Sequence, residues 1–254
     1  METKSKIALV TGASRGLGRD MALNLAKKGI DLVITYHSNE TAANNLVSEI
    51  NALGLKVKAF QLDTSNIKTF DSFSAVLSKY LKSEYDKTNF DFLINNAGTG
   101  VYGSVTDTTE EAFDAMMNIH FKGVYFLTQK LLPMLNDGGR IINISSGLTR
   151  ISFPNVSAYA SMKGAIETYT KCLAKELGAR QITANIIAPG AIATDFGGGS
   201  NKTNAEKRSV IANITALGRM GEPEDIGGVV AFLCTPEAGW MNGQRLELSG
   251  GMML

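Results

Sequence analysis

Seven short runs punctuate this chain: Ile7–Thr11, Leu32–Tyr36, Val57–Leu62, Phe92–Asn95, Arg140–Ser145, Thr183–Ala188 and Arg245–Leu248. Most are near-continuous in apolar or β-branched residues. A strand with one wet face alternates polar and apolar side chains, whereas a parallel strand covered on both faces has no reason to. The runs therefore predict buried parallel strands. Between them lie amphipathic stretches near Leu17–Lys28, Thr41–Leu53, Ile67–Lys82, Glu110–Leu135, Ala158–Gly178 and Asp225–Cys234. Glu110–Leu135 reads as one long helix, with Phe113, Met116, Met117, Phe121, Val124, Leu127 and Leu131 at helical spacing. Parallel neighbours need crossover connections, and crossovers are right-handed. The expectation is an α/β fold of Rossmann type, a doubly wound parallel sheet of about seven strands with helices on both faces, in three layers.

No linker, repeat or composition break divides the 254 residues, so residues 1–254 read as a single domain. Gly197-Gly198-Gly199-Ser200-Asn201 is the one low-complexity segment, a mobile flap or a plain surface loop ahead of a helix near Ala205–Leu217. A formal net charge of +1 argues against a globally basic nucleic-acid binder. Cys172 and Cys234 form no CxxC and have no histidine pair beside them. Neither a disulfide scaffold nor a metal site is expected, and a reducing, cytoplasmic setting is. No apolar run approaches the ~18–20 residues that span a bilayer, and the opening METKSKIALVTG is too short in apolar residues for a signal segment.

The first strand runs into Thr11-Gly12-Ala13-Ser14-Arg15-Gly16-Leu17-Gly18, a glycine-rich turn that opens a helix. Gly12 permits a tight turn, Gly16 lets backbone N–H groups approach a pyrophosphate, and Gly18 allows close helix–sheet packing. The spacing is GxxxGxG and not the commoner GxGxxG, and three glycines in such a turn also serve purely conformational ends. An NAD site places an acid at the end of the second strand. Here His37-Ser38-Asn39 follow Tyr36, with no acid before Glu40. Arg15 suits a 2′-phosphate, with Ser38 and Asn39 adding hydrogen bonds, although an arginine there can equally face solvent. The preferred cofactor is NADP(H).

Tyr159 and Lys163 stand four apart at the start of a helix and share one face. Ser146 lies thirteen residues before Tyr159, at the carboxyl edge of the fifth strand, where open α/β sheets bind ligands. Asn95-Asn96-Ala97-Gly98 follows the fourth strand, and Pro189-Gly190 follows the sixth. In order and spacing these pieces resemble the short-chain dehydrogenase/reductase family, in its single-domain branch, over almost the whole chain. The 3-oxoacyl-[acyl-carrier-protein] reductases are one similar group within it.

The resemblance implies a role for each position. Tyr159 would be the general acid/base, Lys163 would lower its pKa and hold the nicotinamide ribose, and Ser146 would hydrogen-bond the substrate oxygen. Asp63, with Thr64 beside it, would take the adenine, Asn95–Gly98 would pass beneath the adenosine ribose, and Ile192 and Thr194 would bind the carboxamide and pyrophosphate side. The activity implied is NADP(H)-dependent interconversion of a ketone and a secondary alcohol, on a 3-oxoacyl thioester in one specific form. The alternatives are an NAD-dependent sugar or alcohol dehydrogenase and a non-catalytic dinucleotide sensor. Basic residues for docking an acidic carrier would be Arg150, Lys202, Lys207 and Arg208. A homotetramer is implied, with Met116, Met117, Phe121, Tyr125 and the tail Met252-Met253-Leu254 as apolar surface for it.

One position departs from the family. His120 stands where an asparagine usually supports a water linked to the lysine, and Asn118, two residues earlier, falls about 200° away on an α-helix. The backbone at 120 can keep that water, the imidazole can itself titrate in the relay, or the ring merely fills space.

Overall fold

The computed structural model describes residues 5–254. Its strands are β1 (Ile7–Val10), β2 (Asp31–Tyr36), β3 (Val57–Gln61), β4 (Phe90–Asn95), β5 (Leu135–Ile144), β6 (Thr183–Pro189) and β7 (Arg245–Leu248). They form one sheet in the order 3-2-1-4-5-6-7, parallel throughout. The order reverses between β1 and β4, which opens a crevice at their carboxyl ends. The helices are α1 (Gly16–Lys27), α2 (Glu40–Ala52), α3 (Phe70–Tyr85), α4 (Glu110–Met117), α5 (Gly123–Leu131), α6 (Ser157–Glu176), α7 (Ser200–Thr203), α8 (Ala205–Asn213) and α9 (Glu224–Leu233). The three-layer doubly wound architecture read from the strand runs is the one observed.

Strands β1, β2, β4 and β6 are buried at every residue, which is why their sequences do not alternate. One face packs against α1, α2 and α9 through Met21, Leu25, Leu46, Ile50 and Val230. The other packs against α3, α5 and α6 through Phe73, Leu77, Leu81, Leu127 and Leu173. Each such side chain contributes about 1.5–3 kcal/mol by leaving water. Among the described residues, no helix is long and apolar enough to cross a membrane.

The helix expected over Glu110–Leu135 is not one α-helix. It runs as α4, then a π-helical turn over Asn118–Lys122, then α5, and a 3-10 turn at Leu132–Met134 ends it. The Gly123 N–H reaches back to the Asn118 carbonyl, the i→i+5 bond of a π-turn. A Cβ on Gly123 would fall 1.9 Å from the Thr64 carbonyl oxygen, so glycine alone lets the helix pass that loop. Pro133 cannot extend the ladder, and Leu135 opens β5 opposite Phe90, earlier than the expected start at Arg140.

The C-terminal tail also departs from its reading as a continuous apolar surface. Met252 turns inward and is 5% exposed, whereas Leu254 is 97% exposed.

Candidate active site

A cleft of about 1210 Å³ runs along the carboxyl ends of the strands. One end is the turn between β1 and α1. Gly12 has φ +64°, and a Cβ there would lie 2.8 Å from Ala97 Cα, so the turn can nest against the loop after β4 only as glycine. Helix α1 begins with no side-chain cap on Arg15 and no acid in its first turn. Its N-terminal N–H groups and partial positive charge face the cleft, a cradle for an anionic group such as a pyrophosphate. Ser14, Gly16, Leu17 and Gly18 line the same end.

Thr11, which sequence reasoning passed over, holds this turn in place. Its hydroxyl accepts from the Asn96 and Ala97 N–H groups, each at 3.0 Å. Asn96 in turn donates through Nδ2 to the Thr11 and Gly12 carbonyls at 2.8 and 3.1 Å. The Thr35 hydroxyl accepts from Gly12 N at 3.2 Å. The threonine before the first glycine was the available signal for this.

Arg15, His37, Ser38 and Asn39 are exposed and line the cleft. Arg19, one turn on, pairs with Glu49, while Arg15 has no ion pair among the described residues. Asn39 caps α2 by accepting from Ala42 N through Oδ1 at 2.9 Å, which leaves its side-chain amide N–H groups available as donors. Asp63 accepts from Ser65 N and Oγ at 2.9 and 2.7 Å. Burial pushes its carboxyl up, but those bonds and nearby His37 more than offset this and hold it below the ordinary value. Thr64, Asn96, Ala97, Gly98, Pro189, Gly190, Ile192 and Thr194 also border the cleft.

Asn95 does not. It is 4% exposed and donates to Thr128 Oγ1 at 3.0 Å and Asn143 Oδ1 at 2.8 Å. It ties β4 to α5 and β5, because its side chain points into the layer between sheet and helix. The expected turn beneath a cofactor thus meets the cleft through Asn96, Ala97 and Gly98, with the Asn95 side chain turned away from it.

At the other end, β5 and α6 bring Ser146, Tyr159 and Lys163 together, each buried. Ser146 Oγ accepts from Leu148 N at 3.2 Å, so its hydroxyl proton is left to donate toward the Tyr159 oxygen, where a substrate oxygen can take its place. Lys163 Nζ donates to the Ile144 carbonyl at 2.7 Å and lies 5.6 Å from the centre of the Tyr159 ring. Burial lowers Lys163 to about 7. Burial, with Tyr102 nearby, raises Tyr159 against an opposing bond from Ser146, which keeps its phenol protonated near neutrality.

His120 sits in the π-turn, 1% exposed. Its Nε2 lies 2.6 Å from the Thr99 carbonyl oxygen, an acceptor, so Nε2 carries the proton. Nδ1 is then a bare acceptor, buried with no hydrogen-bond partner among the described residues. Burial, and then the Lys163 charge, hold this imidazole well below its ordinary pKa despite the Thr99 bond. Asn118 lines the cleft as well; the 200° argument assumed an α-helix that the π-turn replaces.

Aromatic and apolar side chains wall the space beside Tyr159. Phe196 lies 5.8 Å from the Tyr159 ring, and Tyr102, Phe153 and Met252 complete the lining. Phe196 directly precedes the glycine run; nothing in the local sequence marks Tyr102 or Met252 as its partners. The glycine run itself is a 3-10 turn over Phe196–Gly198 leading into α7, and α8 beyond it buries no residue. The cations expected to dock an acidic carrier are mostly neutralised. Arg150 pairs with Glu247, Lys202 with Asp195 and Arg208 with Glu222, while Lys207 donates to Ser200 Oγ at 2.8 Å.

Comparison with known proteins agrees with this geometry. A family model described as "Enoyl-(Acyl carrier protein) reductase" matches residues 12–253. The tetrahydroxynaphthalene reductase PfmaG of Pestalotiopsis fici is 38% identical over 257 residues, covering 97% of this chain and 91% of the relative. The angucycline C-6 ketoreductase LanV, solved with bound NADP, superposes with a TM-score of 0.93 at 35% identity, covering 98% and 95% of the two chains. The reductase LugOII, described as promiscuous and catalysing keto-reduction at C1 during lugdunomycin biosynthesis, gives 0.93 at 37% identity and covers 100% of both.

Proposed function

The chain belongs to the short-chain dehydrogenase/reductase family, and from that premise we propose that it is an NADP(H)-dependent ketoreductase in which Tyr159, Ser146 and Lys163 perform the proton chemistry. The observation that carries this reading is the placement of a protonated phenol, a serine hydroxyl directed toward it and a buried lysine at one end of a cleft whose other end is an uncapped helix N-terminus.

The glycine turn would hold the pyrophosphate on backbone N–H groups, and Arg15 with Ser38 and the Asn39 amide would take a 2′-phosphate. When bound, the nicotinamide supplies or accepts the hydride. Ser146 donates its hydroxyl proton to the substrate oxygen and fixes the carbonyl's orientation. Tyr159 delivers its phenolic proton to that oxygen in reduction and removes it in oxidation. Lys163, lowered to about 7, exchanges a proton near neutrality and holds the ribose.

For the substrate we favour a compact cyclic ketone with an aromatic ring. The wall of Tyr102, Phe153 and Phe196 offers edge and face contacts to a flat ring. Similar proteins described as a tetrahydroxynaphthalene reductase and an angucycline C-6 ketoreductase support the same class. A 3-oxoacyl thioester is the second reading, and the only support for it is that the matching family model is described for a reductase of carrier-bound acyl groups, in that case enoyl ones. The pairing of Arg150, Lys202 and Arg208 with carboxylates weakens it, since an acidic carrier needs unpaired cations. Turnover of α-tetralone and of a 3-oxoacyl thioester, each with NADPH and NADH, tests both. NADPH-dependent reduction of α-tetralone at a higher kcat/KM is expected, and the reverse order would reject the aromatic reading.

A further inference from the structure

One turn beyond Lys163 on α6, Glu167 gathers three donors on a single oxygen. Its Oε1 accepts from Ser145 Oγ at 2.7 Å, from Thr149 Oγ1 at 2.7 Å and from Arg245 Nε at 2.8 Å. Arg245 comes from β7, 78 residues further along the chain. Its Nη2 donates to Thr149 Oγ1 at 3.0 Å and to the Ser146 carbonyl at 3.3 Å. Thr149 Oγ1 is also 2.9 Å from that same carbonyl. The side chains of Glu167 and Arg245 are only 17% and 22% exposed, so solvent screens this pair far less than a surface ion pair.

The pair stands at the base of the short turn Gly147–Thr149. That turn presents the Leu148 N–H to Ser146 Oγ, and this bond decides where the serine's proton can point. Ser146 itself lies in extended backbone, φ −159° and ψ 150°, with no helix of its own to hold it. Its main chain is therefore held by what grips its carbonyl and the turn after it.

We infer that Glu167 and Arg245 are positioning residues for Ser146: they fix the turn that aims its hydroxyl at the substrate oxygen. The inference rests on the reading of Ser146 as the group that holds the carbonyl. Neither residue touches the substrate. Both act through the Ser146 carbonyl and Thr149, so their loss reorients an existing donor without removing one. A misplacement of about 1 Å at a reacting group costs on the order of a hundredfold in rate.

The test is a double-mutant cycle on the full chain with NADPH and α-tetralone, or the 3-oxoacyl thioester if that is turned over faster. Ser146→Ala alone is expected to lower kcat roughly 100- to 1000-fold, as for loss of one carbonyl-binding donor. Arg245→Met and Glu167→Gln are expected to lower kcat roughly ten- to hundredfold, with NADPH affinity by fluorescence titration unchanged. In the Ser146→Ala background, Arg245→Met should cost less than about twofold more, since two residues acting as one unit are not additive. Amide exchange over 146–151 should speed up in Arg245→Met and Glu167→Gln, a readout independent of turnover. Arg245→Lys keeps a charge on Glu167 without the fork, should fall between wild type and Arg245→Met, and replaces it if that variant does not fold.

Equal losses from Arg245→Met in both backgrounds, or full kcat in both Arg245→Met and Glu167→Gln, would overturn the proposal while leaving Ser146 in its role. Full activity in Ser146→Ala would instead overturn the reading of Ser146, and the proposal with it.

Discussion

The imidazole of His120 stands edge-on to the phenol ring of Tyr159, with centroids 5.0 Å apart and planes at 90°. The same imidazole lies against Gly98, where a Cβ would come within 2.6 Å of His120 Cε1, and is anchored on Thr99. One ring thus joins the loop after β4 to the proposed proton donor. Its depressed pKa leaves it neutral through the physiological range. Of the readings open from sequence, this geometry favours a relay that does not run through imidazole protonation. His120→Asn should keep activity within about tenfold, with a pH profile still governed by Tyr159. A wild-type limb near neutrality that vanishes in both His120→Asn and His120→Ala would reverse this conclusion.

Tyr159→Phe removes only the proton donor. Turnover should drop by ~10²–10⁴ while NADPH affinity barely changes. Retention of more than about a tenth of the wild-type rate would rule out Tyr159 as the acid.

Arg15→Ala should raise the Michaelis constant for NADPH roughly 10- to 150-fold, the worth of a charge-assisted hydrogen bond, and leave that for NADH almost unmoved. Equal effects on both cofactors would exclude recognition of a 2′-phosphate by Arg15.

Lys163 gives stability a pH dependence of known sign. Its folded pKa, about 7, lies below the roughly 10.4 of an unfolded lysine, so between these values the unfolded chain binds more protons. Stability should therefore rise from pH 7 toward pH 10 by an amount of order a few kcal/mol from this residue. Lys163→Met should lose that rise. Denaturant melts of both proteins across the window check it, and parallel curves would contradict it.

The face formed by α5 and α6 carries Tyr125 and Tyr169 with ring centres 4.6 Å apart, beside Phe121 and Phe126. Aromatic surface of this kind is characteristic of a subunit interface. Light scattering should report a homotetramer at micromolar concentration, and Tyr125→Asp should yield a smaller species. A monomeric wild type would refute the assignment.

Much of this protein was determined by its sequence locally. Strands buried on both faces must be continuously apolar, so β1, β2, β4 and β6 announced a parallel sheet. A tight βα turn needs glycine at position 12, and a shared helix face needs the four-residue spacing of Tyr159 and Lys163. These are constraints between near neighbours. Tertiary structure decided what depends on distant partners. Asn95 faces the helix layer because Thr128 and Asn143 receive it there. The helix after residue 110 yields to a π-turn that no periodicity count could reveal, and it passes the Thr64 carbonyl only because residue 123 is glycine. Arg150, Lys202 and Arg208 are paired because Glu247, Asp195 and Glu222 lie beside them in space. The link from Arg245 to Ser146 joins residues 99 positions apart in the chain, and only packing β7 against β6 brings the two together. Periodicity records which face of an element is buried; it holds no record of which residue, a hundred positions away, that face will meet.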